Sequence, residues 1–200
     1  MCSSVSGVII SADADGYTQG TNISTVFEGM TLSSVGKHPP SGLDGSVYSY
    51  ESELATTGES VFGHNLTNHT EWYFDEYPAS HHPNDFGFRA DFDMPANMVS
   101  IDIIADDTWD YASLRTYDSS GTPLESYSNY ADLPVVPGYV FSATIQRDSF
   151  DIAYVIVGGI FANSASAVYL DNLTANIIPE PGTVLLFGFG GLALLRTRRK

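Results

Sequence analysis

Carboxylates dominate the reactive side chains of this sequence, and their spacing sets the first question. Asp102, Asp106, Asp107 and Asp110, interleaved with Trp109 and Tyr111, fall where an alternating segment runs into a polar one. Carboxylates accept hydrogen bonds from paired sugar hydroxyls, and an aromatic face covers the C–H side of a pyranose ring. Asp106, Asp107, Trp109 and Asp110 therefore form a candidate glycan patch. Trp72, inside Glu71-Trp72-Tyr73-Phe74-Asp75, is a second candidate for the same work. The competing reading is a set of core aromatics beside solvated acids.

Ser11-Ala-Asp13-Ala-Asp15-Gly16 approaches the spacing of a calcium loop, but its first position is Ser11 and its twelfth is Asn22 rather than a bidentate glutamate. A plainer expectation is one structural calcium held by Asp15 and Asp171, where the first and last strands of a sandwich meet; the alternative is a pair of solvated turn carboxylates. His64, His69, His81 and His82, near Glu71, Asp75 and Glu76, offer zinc-type donors in no zinc-site spacing. The sequence contains no G-x-S-x-G, P-loop or C-x-x-C motif. Glycoside cleavage needs only two carboxylates at a suitable separation, which so acidic a chain satisfies by chance. The expectation is a protein without catalytic residues.

Charge excludes one class of partner. The 200 residues hold 24 acids and eight bases; 23 of the acids but only Lys37, Arg89, Arg115 and Arg147 precede residue 179, a net −19. Such a body repels phosphate backbones, so no nucleic acid is expected. Its 23 aromatic residues are enough to build a core. The lone Cys2 allows neither a disulfide framework nor a cysteine metal site within the chain.

The elements that must position these groups read as strands. Phe86, Phe88, Ala90 and Phe92 alternate with Gly87, Arg89, Asp91 and Asp93; Val99, Ile101 and Ile103 alternate with Ser100 and Asp102; Phe141, Ala143 and Ile145 alternate with Ser142, Thr144 and Gln146. Ile152–Val157 is apolar on both faces, as a central strand is. Asp118-Ser-Ser-Gly121 predicts a hairpin joining strands near 113–117 and 124–128. A first strand is expected near 9–12, and long loops around one or two strands over 36–85. Residues 1–178 are accordingly expected to form an all-β, antiparallel, jelly-roll-like β-sandwich, with a closed barrel as the lesser alternative.

The composition changes at residue 179. Pro179-Glu180-Pro181-Gly182 breaks regular structure. Thr183–Leu195 carries no charge, and Arg196, Arg198, Arg199 and Lys200 follow. Eight large apolar side chains between Val184 and Leu195 forgo roughly 10–20 kcal/mol if left in water. A short hydrophobic helix over about 183–195 is expected, either inserted in a membrane or packed on the body. Thirteen residues reach only about 20 Å as a helix, short for a span, but flanking bases snorkel and mark the cytoplasmic side.

This ending, Pro179-Glu180-Pro181, a glycine-containing apolar stretch and an arginine cluster, resembles the PEP-CTERM sorting signal of exopolysaccharide-producing Gram-negative bacteria. The resemblance implies recognition of Pro179, Glu180 and Pro181 by exosortase, a membrane-embedded cysteine-dependent protease/transpeptidase. It makes Val184–Leu195 a transient transmembrane anchor and Arg196, Arg198, Arg199 and Lys200 the stop signal. Such substrates begin with an export signal; Met1–Ser6 has no positive charge and Val8-Ile9-Ile10 is far short of an apolar export segment, so an upstream start is expected. The body resembles, more loosely, the β-sandwich ectodomains that precede such tails, through Phe88-Arg-Ala-Asp-Phe92, Val99-Ser-Ile-Asp102, Tyr117-Asp-Ser-Ser-Gly121, Ala153-Tyr-Val-Ile156 and Tyr169-Leu-Asp-Asn-Leu173. That implies a lectin-like fold. The expected role is an exported surface or matrix protein that contacts exopolysaccharide. A secreted carbohydrate-active enzyme and a soluble protein with a buried C-terminal helix are the alternatives.

Overall fold

The computed structural model describes residues 7–36, 40–67, 69–74, 86–108, 110–129, 136–160 and 166–178. These form ten strands and no helix: β1 (Val8–Ala12), β2 (Met30–Val35), β3 (Tyr48–Glu51), β4 (Ser60–Gly63), β5 (Gly87–Ala105), β6 (Ala112–Tyr117), β7 (Pro123–Ser128), β8 (Val140–Gln146), β9 (Ile152–Gly159) and β10 (Val168–Ile177). Every strand pairing is antiparallel. One ladder runs β3-β4-β10-β5-β9-β6-β7, with β1 on β10 and both β2 and β8 on β5. The fold is the antiparallel β-sandwich that the alternating patterns predict. The expected helix over 183–195 lies outside the described residues, and no helix among those described is long and apolar enough to cross a membrane.

The two leaves are joined through β5. Its 19 residues were legible in the sequence only as two separate alternating runs. The first half pairs with β2 and β9, and the second with β10 and β8. Pro95 lies between the halves, where the β5–β9 register shifts between Asp91 and Ala96. Proline supplies no ladder N–H, and a bulge is where a sheet tolerates it. The strand bends there and passes from one leaf to the other.

Alternation decides what the leaves bury. Phe88, Ala90 and Phe92 from the first half of β5, and Val99, Ile101 and Ile103 from the second, enter one core with Leu32, Leu114, Val155, Val157, Leu170 and Leu173. Phe141 of β8 and Tyr127 of β7 approach across it, with ring centroids 6.3 Å apart. The central-strand reading of 152–157 holds, since β9 lies between β5 and β6.

The last strand carries one irregularity that matters for the site. Asn172 adopts φ of 48°, and the β10–β5 register shifts between Asp171 and Thr174. Asparagine enters this left-handed region more readily than most residues. The bulge leaves Asp171 fully buried beside the β3–β4 connection.

Candidate functional site

The structure redistributes the residues singled out above. Trp72 is wholly buried; its indole N–H donates to the Phe62 carbonyl at 2.9 Å, and its ring meets Phe88 edge-on at 5.5 Å. Both faces serve the core, so Trp72 is not a sugar platform. Asp110 is likewise buried, at 1% exposure, and its Oδ2 accepts the N–H groups of Asp106 (2.7 Å) and Asp107 (2.9 Å). It closes the turn after β5 and presents no outward carboxylate. Trp109 lies outside the described residues. Of the expected patch, exposed Asp107 and half-buried Asp106 remain.

Asp106, Asp107 and Asp110 do converge, with one carboxylate oxygen each inside 4.8 Å of the others. A shared proton relieves their repulsion, and a hard cation such as calcium is the other species able to do so. Burial, followed by the hydrogen bond and charge of Asp110, pushes the Asp106 carboxyl up to about 7. Between its ordinary value of 3.8 and about 7 the native state binds more protons than the unfolded chain, so this group's contribution to stability falls as pH rises through that window. Asp106→Asn is expected to raise the melting temperature relative to the parent more at pH 8 than at pH 5. Equal shifts at the two pH values would show that Asp106 does not hold the proton.

The first and last strands bring Asp15 and Asp171 to one loop, residues 56–60. Asp171 Oδ2 accepts the N–H groups of Thr56 (2.8 Å) and Thr57 (3.0 Å) and both hydroxyls, at 2.8 and 3.3 Å; Oδ1 accepts the Asn172 N–H at 2.8 Å. Asp15 Oδ1 accepts the N–H groups of Glu59 and Ser60, both at 2.9 Å. Gly58, at φ of +51°, leaves the space that the Asp15 carboxylate fills, since a Cβ there would lie 2.0 Å from Oδ2. Asp13 takes the Thr57 hydroxyl at 2.9 Å and Asp102 that of Thr56 at 3.0 Å. Four carboxylates thus grip one loop through neutral donors. An open pocket of about 400 Å³ borders it, lined by Glu51, Glu53 and Glu59 among others.

His64 is buried, its Nε2 2.9 Å from the Glu71 carbonyl oxygen, and burial lowers its pKa. His69 stacks on Tyr50 at 4.6 Å. Both act in packing; His81 and His82 lie outside the described residues.

A different surface combines charged and aromatic side chains, with Tyr117 and Ile156 buried among them. On the outer face of β2-β5-β9-β6-β7, register sets side chains from five strands in rows. Ser33, Arg89, Ile156, Arg115 and Ser126 form one row; Thr31, Asp91, Tyr154, Tyr117 and Pro123 form the next. Tyr117 and Tyr154 stack, with centroids 4.8 Å apart and planes 8° from parallel. The Arg89 guanidinium lies 3.8 Å over the Tyr154 ring, and its Nε donates to Asp91 Oδ2 at 2.8 Å. That ion pair keeps the Arg89 pKa above its usual value.

Phe74 closes the other end of this face, donating its N–H to the Gly159 carbonyl at 2.8 Å. It lies on Gly158 and Gly87, where an added Cβ would come within 2.9–3.0 Å of Phe74 atoms. Glycine at both positions lets the segment settle on the sheet. The result is an aromatic pair, a fixed guanidinium–carboxylate pair and a second guanidinium on one rigid surface. Sequence reading passed over it because Arg89, Arg115 and Tyr154 are far apart in the chain. The available signal was the alternation that turns Arg89 and Asp91 away from Phe88 and Phe92.

Fold and site together define an antiparallel β-sandwich with a polar–aromatic sheet face, followed by a sorting sequence. The chain carries a PEP-CTERM protein-sorting motif over residues 178–200. No curated protein matches it in sequence. Among solved structures it is similar to the K2 cleaved adhesin domain of Lys-gingipain, at 9% identity and a TM-score of 0.51, over 84% of this chain and 99% of that one. The CBM22-1 xylan-binding domain of Paenibacillus barcinonensis Xyn10C aligns at 11% identity and a TM-score of 0.46, over 88% and 98%. The C-terminal family 22 carbohydrate-binding module of Clostridium thermocellum Xyn10B aligns at 12% and 0.43, over 88% and 96%. At these identities the likeness is one of fold.

Proposed function

We propose that this is an exported, non-catalytic surface or matrix protein that contacts polysaccharide through the outer face of β2-β5-β9-β6-β7 and is sorted by exosortase through its C-terminal signal. In this reading the domains are 1–178 and 179–200. Pro179, Glu180 and Pro181 are the recognition motif, 183–195 the transient membrane helix, and Arg196, Arg198, Arg199 and Lys200 the cytoplasmic stop. The observation that carries the sorting half is the motif over 178–200. Glycan contact is supported by the Arg89–Asp91 pair on that face, held over the Tyr154 ring, which offers a donor and an acceptor for sugar hydroxyls. The test is the mass of the mature C-terminus in a host that carries exosortase. Loss of the residues beyond the Pro-Glu-Pro region is expected, and an intact Lys200 would remove the sorting half.

A structural calcium held by Asp15 and Asp171 belongs to the same proposal. Carboxylates bonded only by neutral donors keep their charge, and a divalent cation offsets it. Millimolar calcium is expected to raise the melting temperature and chelator to lower it. Identical melting in both would eliminate the ion.

A further inference from the structure

His64 is wholly buried, and neither the sheet face nor the carboxylate clamp uses it. It follows β4 directly, and its backbone N–H donates to the His69 carbonyl at 2.6 Å. β4 itself is short and pairs with β10 at one position, Phe62 with Leu170. Further along, Trp72 exchanges backbone hydrogen bonds with Val168 of β10, at 2.8 and 3.2 Å, and its carbonyl also accepts the Gly159 N–H of β9 at 3.0 Å. The His64 side chain stands between β4 and that bridge.

Both ring nitrogens of His64 are committed. Nδ1 accepts the Leu66 N–H at 3.2 Å and so carries no proton; Nε2, 2.9 Å from the Glu71 carbonyl oxygen, carries one and is the donor there. The ring thus ties the end of β4 to Leu66 on one side and to Glu71, next to Trp72, on the other. Trp72 and Phe86 meet it at nearly right angles, with centroids 5.2 and 4.6 Å away.

A second proton can enter only at Nδ1. There it sets an imidazolium N–H against the Leu66 N–H, donor facing donor, and buries a charge among aromatic rings. Among the described groups that reach the ring, His69 opposes that charge and Asp44, from the connection between β2 and β3, favours it; Trp72 and Phe86 bring none. Asp44 already accepts the Tyr48 hydroxyl and the Ser46 N–H. Burial is the largest influence and holds the His64 pKa below its ordinary 6.5. The unfolded chain therefore takes up the proton first, so the stability that His64 contributes is complete above pH 6.5 and is lost as pH falls through the native value. Asp106 acts in the opposite sense.

We propose that His64 is an acid-released latch. A proton at Nδ1 expels the Leu66 N–H, frees Glu71 and Trp72 from β4, and admits solvent to Trp72 while the rest of the sandwich stays folded. The two ring bonds act together with the His64–His69 backbone bond and the Trp72 indole N–H on the Phe62 carbonyl. All lie within a short stretch of chain, so they open as one local unit.

The test uses full-length protein in a nonionic detergent, with Trp109→Phe so that Trp72 is the one remaining tryptophan. Acrylamide, a neutral quencher, is titrated at a series of pH values from 7.5 to 5.0. The quenching constant of Trp72 is expected to rise at least threefold, with its midpoint below pH 6.5 and the far-UV circular dichroism unchanged. His64→Asn keeps an acceptor toward Leu66 and His64→Gln keeps a donor toward Glu71, but neither titrates, so each should quench equally at both ends of the range. Unchanged quenching in the parent, a midpoint at or above 6.5, loss of the strand signal together with the change, or the same rise in either variant overturns the latch. Should neither variant fold, the His64 ring resonances of the parent decide: their titration must coincide with the exposure of Trp72, and a separate midpoint overturns the proposal.

Discussion

In a host without exosortase, deleting residues 179–200 is expected to move the protein almost completely from the membrane pellet to the soluble fraction. Eight large apolar side chains lie between Val184 and Leu195. Their transfer out of water is worth roughly 10–20 kcal/mol before the costs of ordering and of burying backbone are subtracted. A remainder of only about 3 kcal/mol is more than a hundredfold in partitioning. The rest of the chain adds nothing to retention, because its −19 charge is repelled by anionic headgroups. Replacing Arg196, Arg198, Arg199 and Lys200 with Gln should weaken retention without abolishing it, since snorkelling bases lengthen a short span. The rival arrangement, the apolar stretch packed on the sandwich, has a different signature. Deletion would then leave the fractionation unchanged and lower the melting temperature, and that pair of results would refute the anchor.

The second large effect is expected at Asp171. Its carboxylate is fully buried and accepts the N–H groups of Thr56, Thr57 and Asn172, together with two threonine hydroxyls. Asp171→Ala leaves the three N–H donors without this acceptor and loosens the 56–60 loop, while the two hydroxyls keep Asp102 and Asp13 as acceptors. At about 1–3 kcal/mol for each unpaired donor, the loss is expected to total about 3–5 kcal/mol. For a domain of this size that is a fall of roughly 6–20 °C in melting temperature. Asp171→Asn keeps the shape but offers one acceptor oxygen in place of two, so its loss should be smaller. Asp15→Ala should give a lesser loss, because the two N–H groups it binds, of Glu59 and Ser60, lie nearer the surface. A drop below 2 °C for Asp171→Ala would mean that the loop is held by other contacts.

Both substitutions turn on a feature only partly visible in the sequence. Asp15 and Asp171 could be paired because a sandwich joins its first and last strands, and β1 does pair with β10. That Thr56 and Thr57 fill the space between them depends on the Asn172 bulge and on the β3–β4 connection. Neither has a signature in a single sequence. Trp72 and Asp110 leave the expected glycan patch for a related reason. Trp72 and Asp110 have the residue types of a sugar site, but residue type does not say which side of the sheet a side chain occupies. The bridge that pairs Trp72 with Val168 turns the indole inward. The N–H groups of Asp106 and Asp107 draw the Asp110 carboxylate into the turn.

Strand β5 shows the same division. Alternation in Phe86–Phe92 and in Val99–Ile103 told correctly which side chains enter the core, because a period of two follows from the pleat alone. Pro95 made them look like separate elements. In the fold it sits at a bulge and lets one strand serve both leaves, a choice made by the neighbours on either side of it.

Local chemistry in the sequence was sufficient for the strand pattern, the hairpin at Asp118–Gly121 and the terminal sorting motif, since each depends on residues close together in the chain. Tertiary structure alone set Arg89, Arg115, Tyr154 and Tyr117 in adjacent rows and sent Trp72 into the core. Cross-strand register is determined by packing between segments tens of residues apart, and a one-residue slip would have turned each of these side chains to the opposite face.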